Sequence, residues 1–389
     1  MAGSKNYNKT IEKIAVSDIR QFDSEASQLP GIIKLTLGEP DFNTPEHIKE
    51  AAIKAIQDNK SHYTPNAGIP ELRAATAKYF NEKYNLNYQA SQVITTIGAT
   101  EGINASLQAL LNPGDTVLVP TPVFPIYMVD TEINGGQFVT LDTSADDFIL
   151  TPNRLEEAIA AHPTTKVVVF NYPCNPTGVT YSREQLEAIA AVARKHDLWI
   201  LSDEIYAELT YSGDHISMAE ILPEKTVLLS GLSKSHAMTG WRIGFILGPQ
   251  AFIDQAIKSH QYMVTAPTTN AQYAALEAVS HGQNDAAVMK AEYARRREYL
   301  KTALEDAGFT LADPQGAFYL FAKIPDGKLQ DWDFVRDLAQ KARVAVIPGL
   351  SFGPGGEGYI RLSYAASMEN IKLAASRIKD YMEGKYFDD

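Results

Sequence analysis

The stretch Lys166-Val-Val-Val-Phe-Asn-Tyr-Pro-Cys-Asn-Pro-Thr-Gly178 joins a short β-rich run to the polar cluster that ends it. Runs of the same kind stand at Thr116 to Val119, Leu198 to Ser202 and Thr226 to Ser230, with helical patterns between them. Alternation of this sort predicts βαβ units, hence a mostly parallel sheet covered by helices on both faces. One intervening helix opens on Ser182-Arg-Glu-Gln185, which has the form of a capping box. Ligands in open α/β sheets collect beyond the carboxyl ends of the strands. The chemistry is therefore expected in three clusters at predicted strand ends: Asn171 to Gly178, Ser202-Asp-Glu-Ile-Tyr206 and Ser230-Gly-Leu-Ser-Lys234.

On the N-terminal side, Gly31-Ile-Ile-Lys-Leu-Thr-Leu37 alternates like a half-buried strand and breaks at Gly38-Glu-Pro-Asp-Phe-Asn-Thr-Pro45. A helix is predicted next, with Thr44 as its cap, Pro45 in its first turn and Ile48, Ala52, Ala55 and Ile56 at helical spacing. On the C-terminal side, residues 285 to 308, with Ala291, Tyr293, Tyr299 and Leu300 among many charges, predict a long exposed helix leading into a smaller α+β unit. The last strand of that unit is Gly358-Tyr-Ile-Arg-Leu-Ser-Tyr364, and a final helix runs from about Glu369 into a polar tail. The division expected is a large α/β domain over 46–284 and a small domain formed by both termini, 1–45 and 285–389. There is no internal repeat, low-complexity segment or heptad run.

A chain of 389 residues exceeds what one hydrophobic core usually serves, which agrees with two domains. With 45% hydrophobic and 21% charged residues it has an ordinary globular composition, and no stretch approaches the roughly 20 apolar residues of a membrane span. Residues 1–10 are polar and lack the apolar core of a secretory signal, so a cytoplasmic location is expected. One cysteine, Cys174, excludes an internal disulfide. The 35 basic and 47 acidic residues give −12, which opposes a nucleic-acid or anionic-membrane surface but not a small anion pocket.

Gly231-Leu-Ser-Lys-Ser-His-Ala-Met-Thr-Gly-Trp-Arg-Ile-Gly244 resembles the cofactor-lysine motif of class I/II aminotransferases, the fold-type I family that uses pyridoxal 5′-phosphate. Gly-Glu-Pro-Asp-Phe42, Tyr63-Thr-Pro-Asn-Ala-Gly68, Asn175-Pro-Thr-Gly178 and Ala237-Met-Thr-Gly-Trp-Arg242 are similar to the bacterial gamma subgroup, and the motifs fall in the family's order from Gly38 to Arg361. That subgroup includes aspartate, aromatic amino acid and N-acetyl-diaminopimelate aminotransferases.

The resemblance implies a role for each matching residue. Lys234 carries the cofactor as an imine and moves the substrate proton. Asp203 pairs with the pyridine nitrogen, whose protonated state the electron-withdrawing ring requires. Asn175 and Tyr206 hold the ring 3′-oxygen, and Phe124 stacks on the ring. Ala99 and Thr100 at the helix start in Gly98-Ala-Thr-Glu-Gly102, with Arg242, hold the phosphate. The family often has a hydroxyl three residues before the lysine, but Gly231 stands there, leaving Ser233 or Ser230 to supply one. Tyr63 reaches the phosphate of a neighbouring subunit, which implies a homodimer. Arg361 binds the substrate α-carboxylate, assisted by the Gly38 amide and Asn175. The activity implied is ping-pong transfer of an amino group from an aromatic, aspartate-type or N-acetyl-diaminopimelate donor to 2-oxoglutarate.

Taken singly, Asp203 reads as a cap or ion-pair partner, Arg361 as a surface residue, and Phe124 and Tyr63 as packing; only the ordered set overturns those readings. A carbon-sulfur β-lyase of the same fold is the alternative. A transcription regulator would need a basic helix-turn-helix unit, which finds no room before Gly31. Gly353-Pro-Gly-Gly-Glu-Gly358 satisfies GxGxxG but precedes a strand, so it is read as a loop. Cys174 is read as a small buried filler, the eight His residues show no metal spacing, and His236 is read as a supporting or solvated residue rather than a catalytic one. Arg20 is a candidate partner for a distal substrate group.

Overall fold

The computed structural model describes residues 7–386, so part of the polar start and of the polar tail lies outside the described residues. Among these residues the main sheet has seven strands, in the order Val93–Thr96, Gly244–Leu247, Thr226–Gly231, Trp199–Asp203, Thr165–Asn171, Thr116–Thr121 and Gln137–Asp142. Gly244–Leu247 runs antiparallel to both neighbours and every other pairing is parallel. The four expected strands are present, and the architecture is the α/β class expected.

The parallel strands are apolar at successive positions because both sheet faces are covered. Val167, Val169, Leu201, Val227 and Leu229 pack with Ile103 and Leu107 of helix Gly98–Leu110 and with Phe252 and Ile253 of helix Gln250–Val264. The alternate residues Leu118, Val168, Phe170 and Ile200 pack with Leu155 and Ile159 of helix Pro152–Ala161 and with Leu186 and Ile189 of helix Arg183–Lys195. All are buried, and a side chain of this size contributes about 1.5–3 kcal/mol when taken out of water. Ser182 and Gln185 form the reciprocal capping box expected of the last of these helices.

Two details of helix Glu46–Gln57 depart from expectation. Ile48, Ala52 and Ala55 are buried, but Ile56 is 63% exposed. Thr44 is not its cap. The cap position belongs to Pro45, while the Thr44 hydroxyl donates to Ala237 O at 2.7 Å and accepts from the Trp241 indole at 3.0 Å. A tertiary partner has taken the hydroxyl, and it ties the helix entry to the Lys234 loop.

A smaller antiparallel sheet has the order Ile347–Pro348, Tyr359–Ser363, Tyr319–Lys323 and Thr310–Leu311. The strand expected over 31–37 is confined to Ile33–Lys34, which pairs in parallel with Val344–Ala345. Helix Asp285–Asp306 is not an exposed helix: Met289, Tyr293, Arg296, Leu300 and Leu304 are buried along one face, while Tyr299 is 40% exposed. The glycine-rich segment 353–358 precedes strand Tyr359–Ser363 and opens no helix, as its sequence position predicts. Among the described residues no helix is long and apolar enough to cross a membrane, and no His, Cys, Asp and Glu group is arranged for a metal.

Candidate active site

Asn171, Asp203 and Gly231 end three adjacent parallel strands, with Asn171 opposite Asp203 in register. Asn171 Nδ2 and Tyr172 N both donate to Asp203 O at 3.2 Å, and Glu204 N donates to Leu229 O at 2.9 Å. The sheet register itself thus brings the three polar clusters together at one edge.

Asp203 is 4% exposed, and its carboxylate accepts from the Tyr127 hydroxyl at 2.8 Å and from Ile205 N at 3.1 Å. No cation among the described residues forms an ion pair with it, and burial pushes its pKa up to about 6. A buried carboxylate held by neutral donors is suited to a cationic ring nitrogen. Tyr127 went unassigned in the sequence although it lies at the end of Pro122-Val-Phe-Pro-Ile-Tyr127.

Lys234 follows strand Thr226–Gly231, and its Nζ donates to Gly38 O at 2.6 Å. Burial pushes this amine down to about 8; the charges of Arg242 and Arg361 act in the same direction, and Glu39 and Asp203 oppose them. A lysine with a depressed pKa can present a neutral, nucleophilic amine near neutral pH.

Arg361 is 2% exposed and has no acidic partner among the described residues. It donates to Asn175 Oδ1 at 2.9 Å and to Thr36 O, while its buried Nε has no partner. A guanidinium with an unused donor is suited to a carboxylate. Its face lies against Tyr319 and Phe352, with Cζ 4.7 and 4.8 Å from the ring centroids. Tyr206 is 4% exposed and its hydroxyl pairs with that of Tyr319 at 2.8 Å. Thr36 and Tyr319 were not read as site residues, because their contacts form only after the small sheet is built.

Gly98 opens helix Gly98–Leu110 with φ +71°, and a Cβ there would collide with the Arg242 guanidinium. Arg242, itself at φ 56°, donates to Thr239 O at 2.9 Å and has no acidic partner among the described residues. Among the described residues no side chain caps this helix start, which leaves the first-turn amides, Ala99 and Thr100 included, beside a fixed cation. Helix dipole and guanidinium together suit a phosphate. Of the two candidate hydroxyls, Ser230 donates to Glu204 O at 3.5 Å, whereas Ser233 is buried without a protein hydrogen bond among the described residues.

Other candidates fall at the margins. Phe124 is 38% exposed and Tyr63 is 93% exposed. Arg20 is exposed on helix Asp18–Ala26, and among the described residues no hydrogen bond or ion pair ties it to Lys234 or Arg361. Cys174 is buried, its thiol pushed up to about 11 by burial, in keeping with a filler. His236 is fully buried between the Ser235 hydroxyl at 2.7 Å and Gly282 O at 3.0 Å, a packing role rather than a solvated one.

The family described as aminotransferase class I and II matches residues 30–378. A Bacillus subtilis protein named "Probable N-acetyl-LL-diaminopimelate aminotransferase" is 43% identical over 96% of this chain and 94% of its own length. The structure of aspartate aminotransferase from Thermus thermophilus with maleate superposes with TM-score 0.91 at 37% identity, covering 96% of this chain and 98% of that one. The aromatic aminotransferase from Pyrococcus horikoshii superposes with TM-score 0.88 at 35% identity, over 93% and 99%. These relatives are transaminases by name and do not favour the lyase alternative. The chain belongs to the class I and II aminotransferases and is a pyridoxal-phosphate-dependent transaminase.

Proposed function

We propose that the chain transfers the amino group of an aromatic, aspartate-type or N-acetyl-diaminopimelate donor to 2-oxoglutarate by ping-pong kinetics, in the cytoplasm. The observation that carries this reading is Arg361, a buried guanidinium whose Nε has no partner and which has no acidic neighbour among the described residues, close enough to Lys234 to lower its pKa. The names of the relatives support the three donor classes.

In this reading Asp203 holds the ring nitrogen, Tyr206 and Asn175 donate to the ring oxygen, and Phe124 covers the ring. Ala99, Thr100, Ser233 and Arg242 hold the phosphate. When bound, pyridoxal phosphate supplies a conjugated cationic ring that takes up the electrons of the broken α-carbon bond. Arg361 fixes the substrate by its α-carboxylate, with the Gly38 amide and Asn175 alongside. Lys234 Nζ then takes the proton from the substrate α-carbon and delivers it two atoms away, on the far side of the substrate nitrogen. Tyr127 keeps the Asp203 carboxylate oriented.

Tyr63 belongs to the same proposal as a residue that completes the site of a second subunit in a homodimer; its exposure in the single chain supports that reading. The expected domain limits, 46–284 for the large unit and 1–45 with 285–389 for the small one, fit the partition of strands between the sheets. A panel of Tyr, Phe, Asp and N-acetyl-diaminopimelate against 2-oxoglutarate, ranked by kcat/KM, tests the donor class. Failure of all four to turn over contradicts it.

A further inference from the structure

We propose that Tyr319 is a positioning residue with two separable parts: its hydroxyl orients the Tyr206 phenol, and its ring holds the Arg361 guanidinium. The inference rests on the reading above, in which Tyr206 donates to the cofactor ring oxygen and Arg361 receives the α-carboxylate.

Tyr319 opens strand Tyr319–Lys323, whose neighbour Tyr359–Ser363 carries Arg361 opposite Phe321. Its ring is 1% exposed and lies 4.7 Å from the Arg361 guanidinium carbon, a cation-to-ring contact strengthened by the absence of water. Phe352 makes a second such contact at 4.8 Å. Among the described residues the guanidinium has no carboxylate to orient it, and these rings and its bonds to Asn175 and Thr36 fix it.

The hydroxyl meets two further parts of the site. It lies against Gly38, where a Cβ would occupy the hydroxyl's own position, and the Gly38 carbonyl accepts from Lys234. Its hydrogen bond, at 2.8 Å, is to the hydroxyl of Tyr206. A pair of phenols has two protons, and one of them lies between the oxygens. If Tyr206 donated to Tyr319 it would have no proton left for a ligand. Tyr206 donates inward only when Tyr319 is the donor between them, and the bond it accepts makes it a stronger donor. A donor held on the ring oxygen competes with the proton on the Lys234 nitrogen, so that proton leaves at lower pH. Lys234 is also faced by Glu39, Asp203, Arg242 and Arg361, all of which stay in place when only the Tyr319 hydroxyl is removed.

The test uses the holoenzyme with Tyr319→Phe and Tyr319→Leu. In Tyr319→Phe the midpoint of the Lys234-dependent absorbance is expected to move up by about one pH unit and kcat to fall about tenfold, with KM for the amino donor within about twofold. In Tyr319→Leu, KM and the Kd of a non-reacting carboxylate, maleate or 3-phenylpropionate, are both expected to rise about tenfold. An unmoved midpoint in Tyr319→Phe overturns the role of the hydroxyl. Unchanged KM and Kd in Tyr319→Leu, or in Tyr319→Met should the leucine variant not fold, overturn the role of the ring. Lys234→Ala separates the two levels: absorbance that survives it contradicts the underlying reading, whereas a lysine-dependent absorbance with an unmoved midpoint overturns the Tyr319 proposal alone.

Discussion

The Tyr127 hydroxyl donates to Asp203 Oδ2 at 2.8 Å, from a helix start to a strand end, and both residues are buried. Tyr127→Phe removes one of the two donors that hold the carboxylate. The expected result is cofactor affinity weakened about tenfold, with the fold intact, measured by equilibrium dialysis of pyridoxal phosphate.

In its proposed role Asp203 links function to a cost in stability. Its pKa of about 6 lies above the ~3.9 of an unfolded aspartate, so the ligand-free fold binds this proton more tightly than the unfolded chain does. That contribution to stability is complete below about pH 4 and is lost as pH rises through about 6. At pH 7.5 the ionised group therefore costs the ligand-free fold about 2–3 kcal/mol. Asp203→Asn is expected to raise ligand-free stability at pH 7.5 by about 1–3 kcal/mol, to show no advantage near pH 4, and to lower turnover at least about 100-fold. Asp130, also pushed up to about 6 by burial, is present in both chains and cancels from the comparison. Urea unfolding at the two pH values gives the answer.

If Lys234 carries the cofactor as proposed, its titration is expected to set the pH dependence of cofactor uptake. With its amine near 8, the neutral fraction grows about tenfold per pH unit up to that value and then saturates. The rate at which the ligand-free chain acquires its lysine-dependent absorbance is expected to level off above about pH 8; a rise continuing to pH 10 would place the amine in its ordinary range.

Arg361→Lys keeps the charge but loses the paired geometry. Loss of one charge-assisted bond, worth about 1.5–3 kcal/mol, lowers kcat/KM for the amino donor roughly 10- to 100-fold. Steady-state kinetics with a single donor show it.

Tyr63 gives a test of assembly. Tyr63→Ala chains and Lys234→Ala chains, each weak or inactive alone, are expected to regain activity when mixed and allowed to exchange subunits. One site of the hybrid then has both Lys234 and a partner's tyrosine. Absence of recovery, with hybrid formation verified, contradicts the shared site.

The central strands were legible because burial on both faces leaves nearly unbroken apolar runs, as in Val167 to Phe170. Lys234, Asp203, Asn175 and Arg361, which carry the proposed site, stand at motif positions in the sequence. Their partners were not legible there, because Tyr127 to Asp203, Tyr206 to Tyr319 and Arg361 to Thr36 are bonds between residues 76, 113 and 325 positions apart. Thr44 was misread for the same reason: its hydroxyl serves Ala237 and Trp241, 193 and 197 positions away, rather than its own helix. The expectation of an exposed long helix failed because Tyr293 and Arg296 are covered by groups brought in from Asp41 and Phe42.

The most direct measurement mixes the holoenzyme with an amino donor alone, without any 2-oxo acid, and follows both the lysine-dependent absorbance and the products. One equivalent of 2-oxo acid per active chain is expected, with loss of the absorbance, its return on adding 2-oxoglutarate, and no reaction in Lys234→Ala. Continuous release of pyruvate and ammonia without a 2-oxo acid, or turnover that survives Lys234→Ala, would contradict it.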